Sequence, residues 1–171
     1  VTNQYASSGV LFSITGGQEY VANVGTLDPF GNAVGSFPGY LGSQFLGIWT
    51  VPLFGTPASL TATFVDPANS SIPGIVAGST ISVYVADTEK GVKLESFDLN
   101  NVLLETKYLT SGFATITFTT GAVHSIKFTD TAGDGHIIDN FTYGPIIPEP
   151  STFALIGGSL LILGLVMRRR R

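Results

Sequence analysis

The densest array of potentially reactive side chains in this 171-residue chain runs Asp130-Thr-Ala-Gly-Asp134-Gly-His136-Ile-Ile-Asp139-Asn140. Calcium ions take several hard oxygen ligands from a flexible loop, and Asp130, Asp134, Asp139 and Asn140 could supply such a Ca2+ site. The spacing is not that of an EF-hand: no glutamate closes a loop of about twelve residues. A simpler reading competes with the metal site and is preferred to it. Asp130 and Asp134 would accept backbone N–H groups in a turn, and Asp139 would bond nearby loop amides. Strand parity sharpens the question for Asp139, which alternates with Ile137, Phe141 and Tyr143. If that face is buried, the carboxylate must be paired, hydrogen-bonded or metal-bound; if Ile138 faces inward instead, so does Asn140.

Catalytic signatures are sparse, and no catalytic residue is assigned. There is no Gly-x-Ser-x-Gly elbow and no His-Glu-x-x-His, and His124 and His136 are the only histidines. Two histidines without cysteine are too few for a typical zinc site. Carboxylate pairs such as Glu95 with Asp98, or Asp87 with Glu89, have the chemistry of glycosidase acids, but the sequence shows no cleft to hold them. The chain is therefore expected not to be an enzyme, with a secreted hydrolase as the third reading. Ligand binding has more to work with. Tyr40, Trp49, Tyr84 and Tyr108 could stack on sugar rings, although core packing competes for each, most strongly for Trp49 in Phe45-Leu-Gly-Ile-Trp-Thr-Val51. Thr115, Thr117 and Thr119 make a hydroxyl ladder suited to a polysaccharide- or ice-facing surface; equally, threonine is ordinary β chemistry for a solvent face.

Positioning these groups falls to strands. Runs rich in β-branched and aromatic residues recur between turn residues at 10–15, 44–51, 59–66, 80–87, 92–99, 102–109, 113–120, 123–129 and 136–143. In Ile81-Ser-Val83-Tyr-Val85 and Ala114-Thr-Ile116-Thr-Phe118 one parity is apolar and the other polar, as when one face meets a core and the other meets water. Short turns at Asn100-Asn101 and Gly121 join the strands. The expected fold class is all-β, an antiparallel, jelly-roll-like β-sandwich over residues 1–144. Residues 25–43, rich in glycine and proline, read as a long loop across one end.

Composition narrows the partners. Residues 1–147 carry four lysines and no arginine against eleven carboxylates, a formal charge of −7. Nucleic-acid binding relies on Lys and Arg neutralising phosphates, so a nucleic-acid partner is excluded. The chain has no cysteine, hence neither disulfides nor a thiolate metal site, and is long enough to bury a core without them. Val1 opens neither a basic nor an apolar signal region, so the chain reads as mature, trimmed or partial.

The tail differs from the body. Half of all Lys and Arg are Arg168, Arg169, Arg170 and Arg171, and Ser151 to Met167 has no ionisable side chain. As a helix those residues would span roughly 25 Å, slightly short of the bilayer's hydrocarbon core, with the arginines snorkelling into headgroups. A transmembrane helix is thus expected over 153–167, with a cytoplasmic Arg cluster at 168–171 and the body across the membrane. Residues 145–152 read as an extended linker, because Pro148 and Pro150 bias Ile147 and Glu149 away from helix.

Pro148, Glu149, Pro150, Ser151 and Thr152, followed by an apolar span with glycines and an Arg run, resemble the PEP-CTERM sorting signal, whose tail also carries an ice-binding protein C-terminal domain label. The resemblance implies export, transient anchoring, and processing near Pro148 to Pro150 by an exosortase, a transpeptidase-like membrane enzyme. It implies a bacterial envelope protein: a single-pass inner-membrane precursor, then a cell-surface or extracellular product. Asn3-Gln4-Tyr5-Ala6, Gly9-Val10-Leu11-Phe12, Gly133-Asp134-Gly135 and Ile138-Asp139-Asn140-Phe141 are similar to the β-sandwich ectodomains that precede such tails. The expected role is a non-catalytic one in a matrix, in contact with exopolysaccharide or biofilm; the alternative is a carbohydrate-binding module with structural Ca2+.

Overall fold

The computed structural model of the protein describes residues 5–16, 18–23, 44–49, 58–78, 80–87, 91–131 and 136–149, with 18–23, 44–49 and Asp87 described by backbone alone. A 3-10 turn at Ala6–Ser8 leads into β1 (Val10–Thr15), β2 (Gln18–Asn23), β3 (Gln44–Trp49), β4 (Ser59–Asp66) and β5 (Asn69–Val76). There follow β6 (Ile81–Asp87), β7 (Val92–Phe97), β8 (Leu103–Leu109), β9 (Gly112–Phe118), β10 (Ser125–Asp130), β11 (His136–Thr142) and β12 (Ile146–Pro148). One sheet has the order β12-β5-β4-β10-β7-β8, with β1 also on β4; the other has the order β2-β3-β11-β6-β9. Every strand pairing is antiparallel. The expected all-β sandwich is what forms. Among the described residues no helix is long and apolar enough to cross a membrane. The span expected at 153–167 and Arg168 to Arg171 lie outside the described residues.

Alternation drives the assembly. Leu60, Ala62 and Phe64 of β4 are fully buried, as are Leu94 of β7 and Ile126 and Phe128 of β10; across the sandwich they meet Val83 and Val85 of β6, Phe118 of β9 and Ile138 of β11. Removing a core phenylalanine such as Phe64 would cost about 3–5 kcal/mol, transfer and cavity together. Turn chemistry closes the ladders. Between β7 and β8, Asp98 Oδ1 accepts the N–H groups of Asn100 and Val102, both at 2.8 Å, and Asn101 takes a left-handed conformation at φ 58°. Asn and Asp tolerate that conformation through local side-chain hydrogen bonding.

Three strands depart from the sequence expectation. The apolar pattern of β2 is short, and β5 contains Pro73-Gly74, a pair that ordinarily interrupts a strand. Residues 146–148, expected to be linker, are β12, paired with β5 at Ile146 to Val76, Ile147 to Ile75 and Pro148 to Gly74.

The two sheets are locked together through β11. Ile138 faces the core, which places Asp139 on the opposite face. Strict alternation would then turn Asn140 inward and Phe141 outward. The register with β6 instead shifts between Asp139 and Thr142, with Asn140 at φ 48°. This bulge spends one residue and returns Phe141 and Tyr143 to the core side. Phe141 then stacks on Phe64 with ring centroids 6.0 Å apart, and Tyr143 meets Phe64 edge-on at 5.2 Å. The Tyr143 hydroxyl donates to the Ser8 carbonyl at 2.7 Å, and burial raises its pKa, keeping it a donor. At the other side of the sandwich, Glu105 of β8 bridges to the end of β9: its Oε2 accepts the Thr119 N–H at 3.0 Å and the Thr120 hydroxyl at 3.2 Å, and its Oε1 takes Lys107 at 2.6 Å.

Two predictions follow from these locks. Asn140→Val should lower unfolding free energy by about 1–2 kcal/mol, the cost of a β-branched residue at positive φ, while Asn140→Gly should hold it within a few tenths, as read by chemical denaturation. Burial pushes the Glu105 pKa up, but the Lys107, Thr119 and Thr120 hydrogen bonds and the Lys107 charge outweigh this and hold it below its usual value. Its contribution to stability is full above the unfolded pKa of about 4.3 and fades as pH falls through the lower folded value. Glu105→Gln should therefore melt earlier than the unaltered protein at neutral pH, with the gap narrowing on acidification.

Candidate functional site

The outer face of the five-stranded sheet gathers aromatic and hydroxyl groups. In β6 the core takes Ile81, Val83 and Val85, leaving Ser82, Tyr84 and Ala86 on the other face; in β9 it takes Ala114, Ile116 and Phe118, leaving Phe113, Thr115 and Thr117. Register with β11 completes three rows across the strands. They are Phe113–Ala86–Ile137, Thr115–Tyr84–Asp139 and Thr117–Ser82–Thr142. Phe113 is 49 % exposed and stacks on Tyr84, which is only 3 % exposed, at a centroid separation of 6.4 Å. Thr115, Thr117 and Thr142 are exposed, and the Thr142 and Ser82 hydroxyls are hydrogen-bonded at 2.6 Å. An apolar ring edge beside a line of hydroxyls is chemically matched to a sugar, which presents C–H faces and O–H rims.

Asp139 sits in the middle row. Its Oδ2 is buried and makes no hydrogen bond among the described residues. Burial raises the Tyr84 pKa, and the charge of Asp139 raises it further. Asp130 has a different setting: it is fully buried at the end of β10, on the parity of Ile126 and Phe128, and is paired in register with Val92. Asp134 lies outside the described residues, and Asn140 forms the bulge of β11. Asp130 thus points into the sandwich and Asp139 away from it. Among the described residues no three His, Asp or Glu side chains come together as a metal site.

The remaining expected residues scatter. Tyr40 lies outside the described residues; Trp49 closes β3 in register with Gln18, and its side chain is not described. Tyr108 is 64 % exposed on the far sheet, opposite Lys93. His124 Nδ1 lies 2.8 Å from the Gly74 carbonyl, and His136 is buried near Phe128 at a ring separation of 6.3 Å. Glu95 is paired with Lys93 at 3.0 Å, while Asp98 caps its turn. Asp87 ends β6, its side chain not described, and Glu89 lies outside the described residues. The threonine ladder keeps two rungs in β9; Thr119 lies beyond the strand, its N–H on Glu105. Phe113, Ser82 and Thr142 were not singled out from the sequence. Phe113 had a signal: it shares the parity of Thr115 and Thr117, an aromatic on a polar face.

Of the expected sorting motif, Pro148 and Glu149 are described and Pro150, Ser151 and Thr152 are not. Pro148 is the last residue of β12, and the Glu149 N–H donates to the Pro73 carbonyl at 3.0 Å.

No curated protein matches the chain. Its fold is similar to a family 29 carbohydrate-binding module variant, with TM-score 0.51, 14 % identity, and 80 % of this chain and 82 % of that one covered. It is also similar to an exo-β-agarase, with TM-score 0.50 and 10 % identity, covering 81 % of this chain but only 23 % of the enzyme. At such identities the likeness establishes the fold alone.

Tyr84 ionisation should report on Asp139. Removing the neighbouring negative charge in Asp139→Asn should bring the Tyr84 pKa down, though burial keeps it above the ordinary tyrosine value of about 10. A pH titration of tyrosinate absorbance, compared between the two proteins, reads this directly; an unchanged curve would contradict the coupling.

The family model for the PEP-CTERM protein-sorting motif matches residues 147–171, so this β-sandwich carries a PEP-CTERM sorting motif that begins within β12.

Proposed function

We propose that the chain is an exported β-sandwich of the cell envelope or extracellular matrix, non-catalytic, that holds neutral polysaccharide on the outer face of its five-stranded sheet. The sorting motif supports export and handling by an exosortase-type enzyme. Residues 153–167 would span the membrane of the precursor, with Arg168 to Arg171 on the cytoplasmic side. The observation that carries the binding role is the exposed strip of Phe113, Thr115 and Thr117 beside the Ser82–Thr142 hydroxyl pair. Phe113 would stack against a pyranose face while the hydroxyls exchange hydrogen bonds with its rim. The excess of eleven carboxylates over four lysines in residues 1–147 disfavours uronate-rich polymers and selects uncharged ones. The carbohydrate-binding module among the structural neighbours fits this reading in fold.

Affinity electrophoresis through gels containing neutral glucans, mannans or galactans, with an acidic polymer as control, tests it. At least one neutral polymer should retard the protein. Phe113→Ala should weaken that retention by about two- to ten-fold, the worth of one stacking contact, while the protein still unfolds in one cooperative transition, its midpoint only slightly lowered by loss of the Tyr84 contact. Equal retention of both proteins, or none by any neutral polymer, would sink the proposal.

A further inference from the structure

The sorting motif and the sandwich share residues. Ile146, one position before the matched motif, packs against the core, and two glycines make room for it. A Cβ at Gly74 would lie 2.5 Å from Ile146 Cγ2, and one at Gly9 would overlap Ile146 Cδ1. Ile147, Pro148 and Glu149 then continue along β5. The first residues of the motif are therefore held in a β-ladder.

That ladder is weak by construction. Odd-numbered residues of this segment face β5: the Ala77 N–H donates to the Pro145 carbonyl at 2.7 Å, and the Glu149 N–H to the Pro73 carbonyl at 3.0 Å. In an antiparallel pair each such site ordinarily exchanges two bonds. Pro145 and Pro73 have no N–H to return, so each flanking site has one. Ile147 itself is 51 % exposed, so anchoring rests on Ile146 and the single register site between two half-made ones.

A processing enzyme that takes the Pro-Glu-Pro segment as an added strand needs its backbone groups available. β5 occupies the same groups. The two cannot hold residues 147–149 at once.

Resting on the sorting reading above, we propose that β12 is a releasable strap: the processing enzyme engages residues 147–149 only after they separate from β5, so the stability of this edge sets how fast the tail is processed. Local opening at a sheet edge costs far less than global unfolding, so the strap can open while the sandwich stays folded.

The test uses the full chain in cells that contain the processing enzyme, following conversion of precursor to product by mobility. The chain has no cysteine, so Ile75→Cys with Ile147→Cys can cross-link only to each other within the molecule. Facing positions of this kind lie about 5.5 Å apart at Cα, within disulfide range. The oxidised double variant should accumulate as precursor, reductant should restore processing, and Ile147→Cys alone should be processed normally. Ile146→Ala, which loosens the strap, should raise both amide exchange at Glu149 and the processing rate, roughly five-fold or more. Normal processing of the cross-linked chain would overturn the strap, as would faster exchange in Ile146→Ala without faster processing. If even the unaltered chain is not processed, the sorting reading falls, and this inference with it.

Discussion

The sandwich depends on a single change of parity. β11 lies at the centre of the five-stranded sheet, between β3 and β6, and must contribute Ile138 to the core at one end and Phe141 and Tyr143 at the other. An unbroken strand cannot do this, because three positions separate Ile138 from Phe141 and alternate residues face opposite ways. Asn140 resolves the conflict by taking a left-handed conformation that few side chains accept. The aromatic cluster that joins β1 and β4 to β11, and the Tyr143 tie to Ser8, both follow from that residue.

The same shift decides what the outer face can be. With Ile138 inward, Asp139 is placed beside Tyr84, and Thr142 reaches Ser82 from beyond the bulge. One residue thus arranges both the inner aromatic packing and the outer polar rows. The core and the candidate binding surface are two sides of one register.

Much of the framework was legible in the sequence where alternation was strong. β1 and β4 start and end where their patterns do, because Leu60, Ala62 and Phe64 leave no ambiguity about the buried parity. β5 and β12 were not legible, because Pro73-Gly74 and Pro145 to Pro150 read as interruptions. Pro145 and Pro148 are tolerated because they flank or end a short edge strand, and Pro73 because its missing donor would face only that strand. Asp130 and Asp139 are close along the chain, but β10 and β11 belong to different sheets, so the two carboxylates part ways, which no local pattern discloses. The exposed position of Phe113 followed from its parity, but its stacking on Tyr84 required the β6–β9 register, which no local pattern encodes.

The proline of β12 also shapes what the molecule offers to its neighbours. Residues 146 and 148 direct their backbone groups away from β5, toward the open edge of the sheet, and the second of these is Pro148. That edge therefore presents a lone N–H, from Ile146, too little to template another strand. Two copies that meet at this edge therefore gain little from strand pairing there.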